Sequence, residues 1–271
     1  MRLLFSKSKW EAGHLSLDAF LARCAGDGFG ASELYLPGQS ETAVEIRAAH
    51  ERAGLRLIAH IATAGATPAE HLHSLEAQFE RAVACKPLMI NAHTGKDYFS
   101  LKDNLRIFQR GEELADQAGI TLAHETHRGR ALFSAPATVA FLRELPELRL
   151  TADFSHWLCV HESDLSDQPE AMALAIGCTR HLHARVGFVE GPQIGDPRSP
   201  YFKDWVDISL NFWKRIVAAR KSAGVEFMTI TPEFGPIPYM PVNPADGLPV
   251  ADAWEVNVWM KGFLQRELSG L

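Results

Sequence analysis

The sequence has few cysteines, no long apolar segment and no excess of positive charge. Its 271 residues include four scattered cysteines with no CxxC pair, Cys24, Cys85, Cys159 and Cys178. This argues against a disulfide framework or a thiolate zinc site. No stretch approaches the roughly 20 apolar residues that cross a bilayer, and the apolar run after residue 1 is too short for a signal peptide. We therefore expect a cytoplasmic protein with no membrane partner.

The charge balance and the missing glycine motifs exclude further classes of protein. The formal net charge of −6 provides no field that would attract nucleic acid, so we expect no nucleic-acid partner. GxGxxG after the first strand and the GxxxxGK[ST] loop are both missing, which disfavours an open, doubly wound nucleotide-binding sheet. Hydrophobic residues make up 46% and charged residues 22%, as in an ordinary globular protein.

Short apolar runs alternate with longer amphipathic ones along the whole chain. The helical segments carry clear boundary signals, such as the capping box of Thr67-Pro68-Ala69-Glu70 and the glycines Gly54 and Gly119. Eight short runs are interpreted as strands, at or ending near positions 3–5, 32–36, 57–61, 88–93, 120–125, 148–153, 181–183 and 227–231. Eight strand–helix repeats without a linker predict one α/β domain over residues 1–271, a single (β/α)8 TIM barrel.

Ionisable side chains follow four of the predicted strands. Glu125, Asp153, His183 and Glu233 each stand at the C-terminal end of such a strand, and barrel enzymes build their active sites at this end. Each residue alone is compatible with an ordinary polar strand end. Together they provide three carboxylates and one imidazole, which predicts a site for one divalent ion. The donor set suits Mn²⁺, Mg²⁺, Co²⁺ or Zn²⁺ alike.

Further histidines are candidate substrate contacts near the same mouth. His60 and His93 end the third and fourth strands, while His127 and His156 follow the fifth and sixth. Each imidazole could contact substrate, orient a ligand from behind, or be an ordinary buried histidine. His71 lies within a predicted helix, and we expect it at the surface.

Three arginines lie close to the predicted strand ends. Arg185 follows the seventh strand by two residues, Arg128 lies in the loop after the fifth, and Arg198 lies in the long loop after the seventh. A guanidinium can hold a substrate oxygen or a phosphate, and it can equally pair with a nearby carboxylate. We predict Arg185 and Arg198 as substrate-binding residues.

At these positions the chain resembles the xylose isomerase-like TIM-barrel superfamily, which includes sugar isomerases and epimerases, inosose dehydratases and metal-dependent abasic-site endonucleases. The resemblance implies that Glu125, Asp153, His183 and Glu233 bind one divalent metal. It also implies that the two glutamates move protons through a cis-enediolate and that His156 contacts a substrate hydroxyl. The predicted protein is thus a metal-dependent isomerase or epimerase of a sugar or sugar derivative, acting on a small molecule, with a homodimer as a candidate assembly.

Other activities within the superfamily stay open. An inosose or keto-sugar dehydratase uses the same enediolate. The endonucleases add histidines at strands three and four, which His60 and His93 match, and an Asp-x-His after strand seven. Here that position reads Asp196-Pro197-Arg198, and an arginine does not ligate metal because it stays protonated. The H-x-K-D pattern common at strand seven is also altered, which leaves the substrate class open.

Overall fold

Eight parallel strands close into a barrel in the computed structural model, which describes residues 1–270. The strands are β1 (Arg2–Ser8), β2 (Ala31–Tyr35), β3 (Arg56–Ala62), β4 (Met89–His93), β5 (Leu122–Glu125), β6 (Leu150–Ala152), β7 (Thr179–Ala184) and β8 (Phe227–Pro232). They pair in chain order, and β8 closes onto β1 with Ile230 opposite Phe5. The predicted (β/α)8 barrel is confirmed.

Helices separate the strands and surround the barrel. They are α1 (Leu17–Gly26), α2 (Ala43–Ala53), α3 (Pro68–Ala84), α4 (Leu101–Ala118), α5 (Ala135–Glu144), α6 (Ser155–His161), α7 (Pro169–Cys178), α8 (Lys203–Ser222) and α9 (Ala253–Leu268). None of the helices within residues 1–270 has the length and apolar character needed to span a membrane. The sequence signals do not predict α6, because it has only seven residues and Phe154, the residue before it, provides no side-chain cap.

The main hydrophobic core lies between the barrel and its helices, while the barrel interior is largely polar. A separate small apolar cluster of Ile58, Met89 and Ala123 lies inside the barrel. Successive side chains of a strand point to opposite sides. His60 and Glu125 lie two residues after Ile58 and Ala123 on the same strands. They therefore also face the barrel interior, nearer the C-terminal ends of the strands.

The expectation that His71 lies at the surface is wrong. His71 is fully buried, and its Nδ1 lies 2.7 Å from Oγ1 of Thr63. It precedes Leu75 and Phe79 at intervals of four residues, so it shares the buried face of α3 with them.

The capping box at the start of α3 provides a test of the local folding signals. Oγ1 of Thr67 accepts a hydrogen bond from the backbone N–H of Glu70, and the Glu70 carboxylate accepts from the N–H of Thr67. Thr67→Ala leaves an N–H of the first turn without its partner, so we expect a loss of about 1 kcal/mol in unfolding free energy. Urea unfolding followed by circular dichroism measures it. Thr67→Ser keeps the hydroxyl and should unfold close to wild type; equal midpoints for the alanine and serine variants would contradict the role of the cap.

Candidate functional site

The four predicted ligands meet at the C-terminal end of the barrel. Glu125, Asp153, His183 and Glu233 come from the ends of β5, β6, β7 and β8, and each is at most 6% exposed. One potential ligand atom from each lies within 4.8 Å of the others. Ligands on opposite sides of a Mg²⁺ or Ca²⁺ ion are separated by about 4 to 5 Å. The structure thus gathers side chains that are far apart in the sequence into a group of the size that one ion requires.

His183 lies at the centre of this group. Its Nδ1 is 2.9 Å from a carboxylate oxygen of Glu233 and 3.4 Å from one of Glu125, yet this buried nitrogen makes no hydrogen bond of acceptable geometry. Burial disfavours a charged imidazole, but Glu233, Glu33 and Glu125 outweigh it and raise the pKa of His183 well above its ordinary value. The surrounding carboxylates therefore attract positive charge strongly.

A second polar layer lies against the other side of His183, and its members were not predicted from the sequence. The carboxylate of Glu33, from β2, accepts hydrogen bonds from Nε2 of His183 at 3.0 Å and from Oγ1 of Thr231 at 2.7 Å. Asn91 of β4 uses its amide nitrogen to bridge Glu33 and Glu125, at 3.0 Å from each. This layer fixes the ring orientation of His183 and directs its Nδ1 towards the ligand carboxylates.

Arg185 lies directly beside the four ligands. Its guanidinium donates to Oδ2 of Asp153, is 2.8 Å from Nε2 of His156, and approaches Glu233 at 3.7 Å. The other oxygen of Asp153 accepts from the backbone N–H and the hydroxyl of Ser155. Burial raises the pKa of Asp153 to about 6, although Arg185 opposes that shift. Arg185 therefore lies in the site and is paired with one of its carboxylates.

Four histidine rings form a row along one side of the mouth. Ring centroids are separated by 4.4 Å for His60 and His93, 4.4 Å for His93 and His127, and 3.9 Å for His127 and His156. Burial lowers the pKa of His60 to about 3 and holds those of His127 and His156 well below their ordinary values. These three imidazoles are therefore neutral near pH 7. Nε2 of His93 contacts Glu125 at 2.9 Å.

Two of the four predicted ligands, Glu125 and Glu233, line a cavity of about 390 Å³, a size typical of sites for small molecules. Glu125, Glu233 and Arg185 line it, together with His60, His93 and His127. Trp10 and Tyr239 form an aromatic wall, with their rings edge to face at 4.9 Å. Arg185 lies over the Tyr239 ring at 4.9 Å from its centroid.

Other residues considered from the sequence lie elsewhere. Arg198 does not line the cavity; its exposed side chain forms an ion pair with Asp196 within the same loop, at 2.8 Å. Arg128 is exposed and stacks over Tyr239. His156 is fully buried behind His127 and contacts Arg185, so it adjoins the site without lining the cavity.

Two residues of the site that the sequence analysis did not predict, Glu33 and Asn91, carry a weak signal in the sequence. Glu33 follows Ser32 within β2 and Asn91 precedes His93 within β4, and polar side chains inside such short strands are rarely buried unless they have partners. With a period of two, Asn91 faces the same side as His93. No comparable signal exists for Tyr239, because it lies in an irregular loop between β8 and α9.

Comparison with known proteins assigns the family. The model of the family described as xylose isomerase-like TIM barrel matches residues 21–186, which is more than half of the chain. The chain belongs to the xylose isomerase-like TIM barrel family. A search of curated proteins finds no match to this sequence.

Solved structures similar to this member of the family differ in activity. A 3-keto-D-glucoside 4-epimerase, YcjR, from E. coli has 12% identity over 98% of this chain and 100% of its own, with a TM-score of 0.65. Endonuclease IV from Thermus thermophilus has 13% identity over 100% of both chains, with a TM-score of 0.60. The probable 3-DHS dehydratase AsbF from Bacillus anthracis has 15% identity over 87% of this chain and 94% of its own, with a TM-score of 0.59. Likeness at this level shows the barrel fold that the family shares.

Close packing behind Asp153 can be tested at Gly187. A Cβ built on Gly187 would lie 2.7 Å from the carbonyl oxygen of Ser155 and 2.8 Å from its Cβ, so an alanine side chain must displace the residue that holds Asp153. We expect Gly187→Ala to reduce the unfolding free energy by about 1–3 kcal/mol, as overpacked sites do, measured by urea unfolding. Gly177→Ala is the control, because no atom lies within 4 Å of its added Cβ. Equal midpoints for the two variants would show that the contact with Ser155 relaxes freely.

Proposed function

We propose that this chain is a divalent-metal-dependent isomerase or epimerase of a sugar or sugar derivative, acting by proton transfer at the carbon beside a carbonyl. The observation that supports it most is the pair of carboxylates, Glu125 and Glu233, on either side of Nδ1 of His183 at the base of the cavity. One carboxylate can remove a proton and the other can return one, which is the requirement of this chemistry.

The residues present fit a divalent cation. Nδ1 of His183 is a buried nitrogen without a hydrogen-bond partner that faces the carboxylates. With His183 neutral, as a metal ligand must be, the three carboxylates and Arg185 sum to two negative charges, which a divalent ion neutralises. Each carboxylate oxygen has two lone pairs, so Asp153 can pair with Arg185 and Ser155 and still offer one to a cation. Glu125, Asp153, His183 and Glu233 would hold the ion. When bound, it would polarise a substrate carbonyl and acidify the adjacent C–H.

The neighbours of Glu125 prepare it to act as a base. Burial alone would raise the pKa of Glu125, but His93 and His183 hold it well below its ordinary value. The carboxylate is therefore ionised near pH 7. Asn91 and His93 contact the same oxygen, at 3.0 Å and 2.9 Å, and fix its position. His60 and His127, which are neutral and line the cavity, offer hydrogen-bonding nitrogens to substrate hydroxyls without adding positive charge.

An endonuclease-like hydrolase is the second candidate. One ligand atom each of His60, His93 and Glu125 lies within 4.8 Å of the others, so these residues offer a second candidate metal position. Two observations argue against this function. The position of Arg198 supplies no metal ligand, and the net charge of −6 disfavours binding of a phosphate backbone.

Hydrogen exchange into a sugar tests the proposed reaction. The protein is incubated with Mn²⁺ and a panel of ketoses in D₂O, and NMR follows loss of the C–H signal beside the carbonyl. We expect exchange in wild type, and a decrease of at least about 10²-fold in both Glu125→Gln and Glu233→Gln, because each removes an acid–base group. Glu147→Gln, on an exposed position, should exchange like wild type.

Two results would refute this proposal. Absence of exchange with every ketose would exclude the proton transfer, and near-normal exchange in both site variants would exclude the assigned roles. Exchange accompanied by a product lighter by one water would instead identify a dehydratase. Incision of an abasic-site duplex without exchange would favour the endonuclease.

The Glu33–His183 contact predicts a loss of metal affinity on substitution. Glu33→Gln removes the charge that accepts from Nε2 of His183, so the imidazole is less firmly held with Nδ1 towards the ion. We expect Mn²⁺ to bind about 10–100-fold more weakly, the usual effect of losing such a partner, by isothermal titration calorimetry. Glu190→Gln, an exposed site, is the control. An unchanged dissociation constant in Glu33→Gln would show that His183 needs no support from this glutamate.

A further inference from the structure

The mouth of the cavity carries an arginine that has no acidic partner. Arg130 lies in the loop between β5 and α5, lines the cavity and is half-buried. Nη1 of Arg130 donates to the carbonyl of Thr63 at 2.8 Å. Within residues 1–270 this is the only side-chain hydrogen bond of Arg130, and its guanidinium forms no ion pair. By contrast, Arg185 is paired with Asp153 and Arg198 with Asp196.

This arrangement leaves a partly desolvated cation with most of its donors free. A guanidinium has five N–H donors, and only one of them has a protein acceptor here. Burial lowers the pKa of Arg130 from its ordinary value, but an arginine remains charged throughout the physiological range. Donors that lose water when a ligand fills the cavity need an acceptor, since leaving them unpaired is costly.

The distribution of charge around the cavity points to the kind of acceptor. Within residues 1–270, the only acidic residues that line the cavity are Glu125 and Glu233 at its base, beside the basic residue Arg185, while the basic residues Arg130 and Lys9 lie in loops around its mouth. Arg130 follows β5 and reaches back to Thr63, just beyond β3, whereas Arg185 follows β7 on the other side of the closed barrel. The mouth is therefore locally basic in a chain whose net charge is −6.

We propose that Arg130 binds an anionic group of the substrate, a carboxylate or a phosphate, so that the substrate is an acidic sugar derivative instead of a neutral sugar. The fork of a guanidinium matches both groups and can bind either with two parallel hydrogen bonds. The proposal rests on the proposed function, because it names the substrate class of the same cavity. A purely structural role, in which Arg130 ties its loop to Thr63, would affect neutral and anionic ligands alike.

Calorimetric titration of the Mn²⁺-loaded protein separates these roles. The probes are D-fructose 6-phosphate, 5-keto-D-gluconate and D-fructose, which represent a phosphate, a carboxylate and the neutral case. We expect at least one anion to bind about 10–100-fold more tightly than D-fructose, the effect of a hydrogen bond to a charged group. The anion that binds more tightly shows whether the anionic group of the substrate is a phosphate or a carboxylate. Arg130→Met should remove this preference, and Arg130→Lys should keep part of it.

Arg143→Met is the matched control, since Arg143 is exposed on α5 and the change alters the net charge equally; it should keep the preference. Affinity for D-fructose equal to or greater than that for both anions would overturn the proposal, and so would an undiminished preference in Arg130→Met. If Arg130→Met fails to fold, Arg130→Gln takes its place with the same two outcomes: loss of the anion preference supports the role of Arg130, and an undiminished preference overturns it.

The proposed reaction is judged separately. Anion preference that depends on Arg130, without hydrogen exchange in any sugar, would contradict the reaction and keep the assignment of Arg130. Exchange in neutral sugars without anion preference would support the reaction and contradict the assignment of Arg130.

Discussion

Four carboxylates buried at one end of the barrel create the electrostatic constraint on which the rest of the site depends. Glu33, Glu125, Asp153 and Glu233 are each at most 6% exposed. A buried charge without compensation costs several kcal/mol, so the surrounding residues must supply donors and positive charge. Arg185 is the one fixed cation in contact with this group among residues 1–270. The remaining negative charge is the physical reason for inferring a divalent ion.

The carboxylates divide into two layers with different partners. Glu33 lies against Nε2 of His183 and is held by Thr231 and Asn91, which makes it a positioning group. Glu125 and Glu233 face Nδ1 of the same ring and line the cavity, which places them where substrate can reach. A single imidazole thus connects the layer behind it to the layer that lines the cavity. Burial lowers the pKa values of His60, His127 and His156, so these three rings are neutral. Arg130, Arg185 and Lys9 are cationic side chains that line the cavity.

Much of the fold was predictable because local signals agree with the barrel. The capping residue Thr67 begins one helix, and Gly54 and Gly119 end two others, as their sequence signals predict. Helix α6 was missed because it is short and has no capping side chain. That Glu125, Asp153, His183 and Glu233 lie close together could be predicted from their positions, since parallel strands bring their C-terminal ends together.

The finer arrangement of the site depends on contacts between distant residues, which the sequence does not contain. Glu33 contacts His183 only because the folded barrel places β2 opposite β7. The two arginines of Arg128-Gly129-Arg130 have the same local sequence context, yet only Arg130 lines the cavity. Arg198 was predicted beside the site, but Asp196 two residues earlier in its own loop provides a nearer partner.

The central claim is that one divalent ion binds among Glu125, Asp153, His183 and Glu233. The most direct measurement is anomalous X-ray diffraction from crystals of the protein soaked in Mn²⁺, recorded near the manganese absorption edge. Our account predicts one strong anomalous peak surrounded by these four side chains. Absence of a peak there, with manganese bound only at other positions, would contradict it.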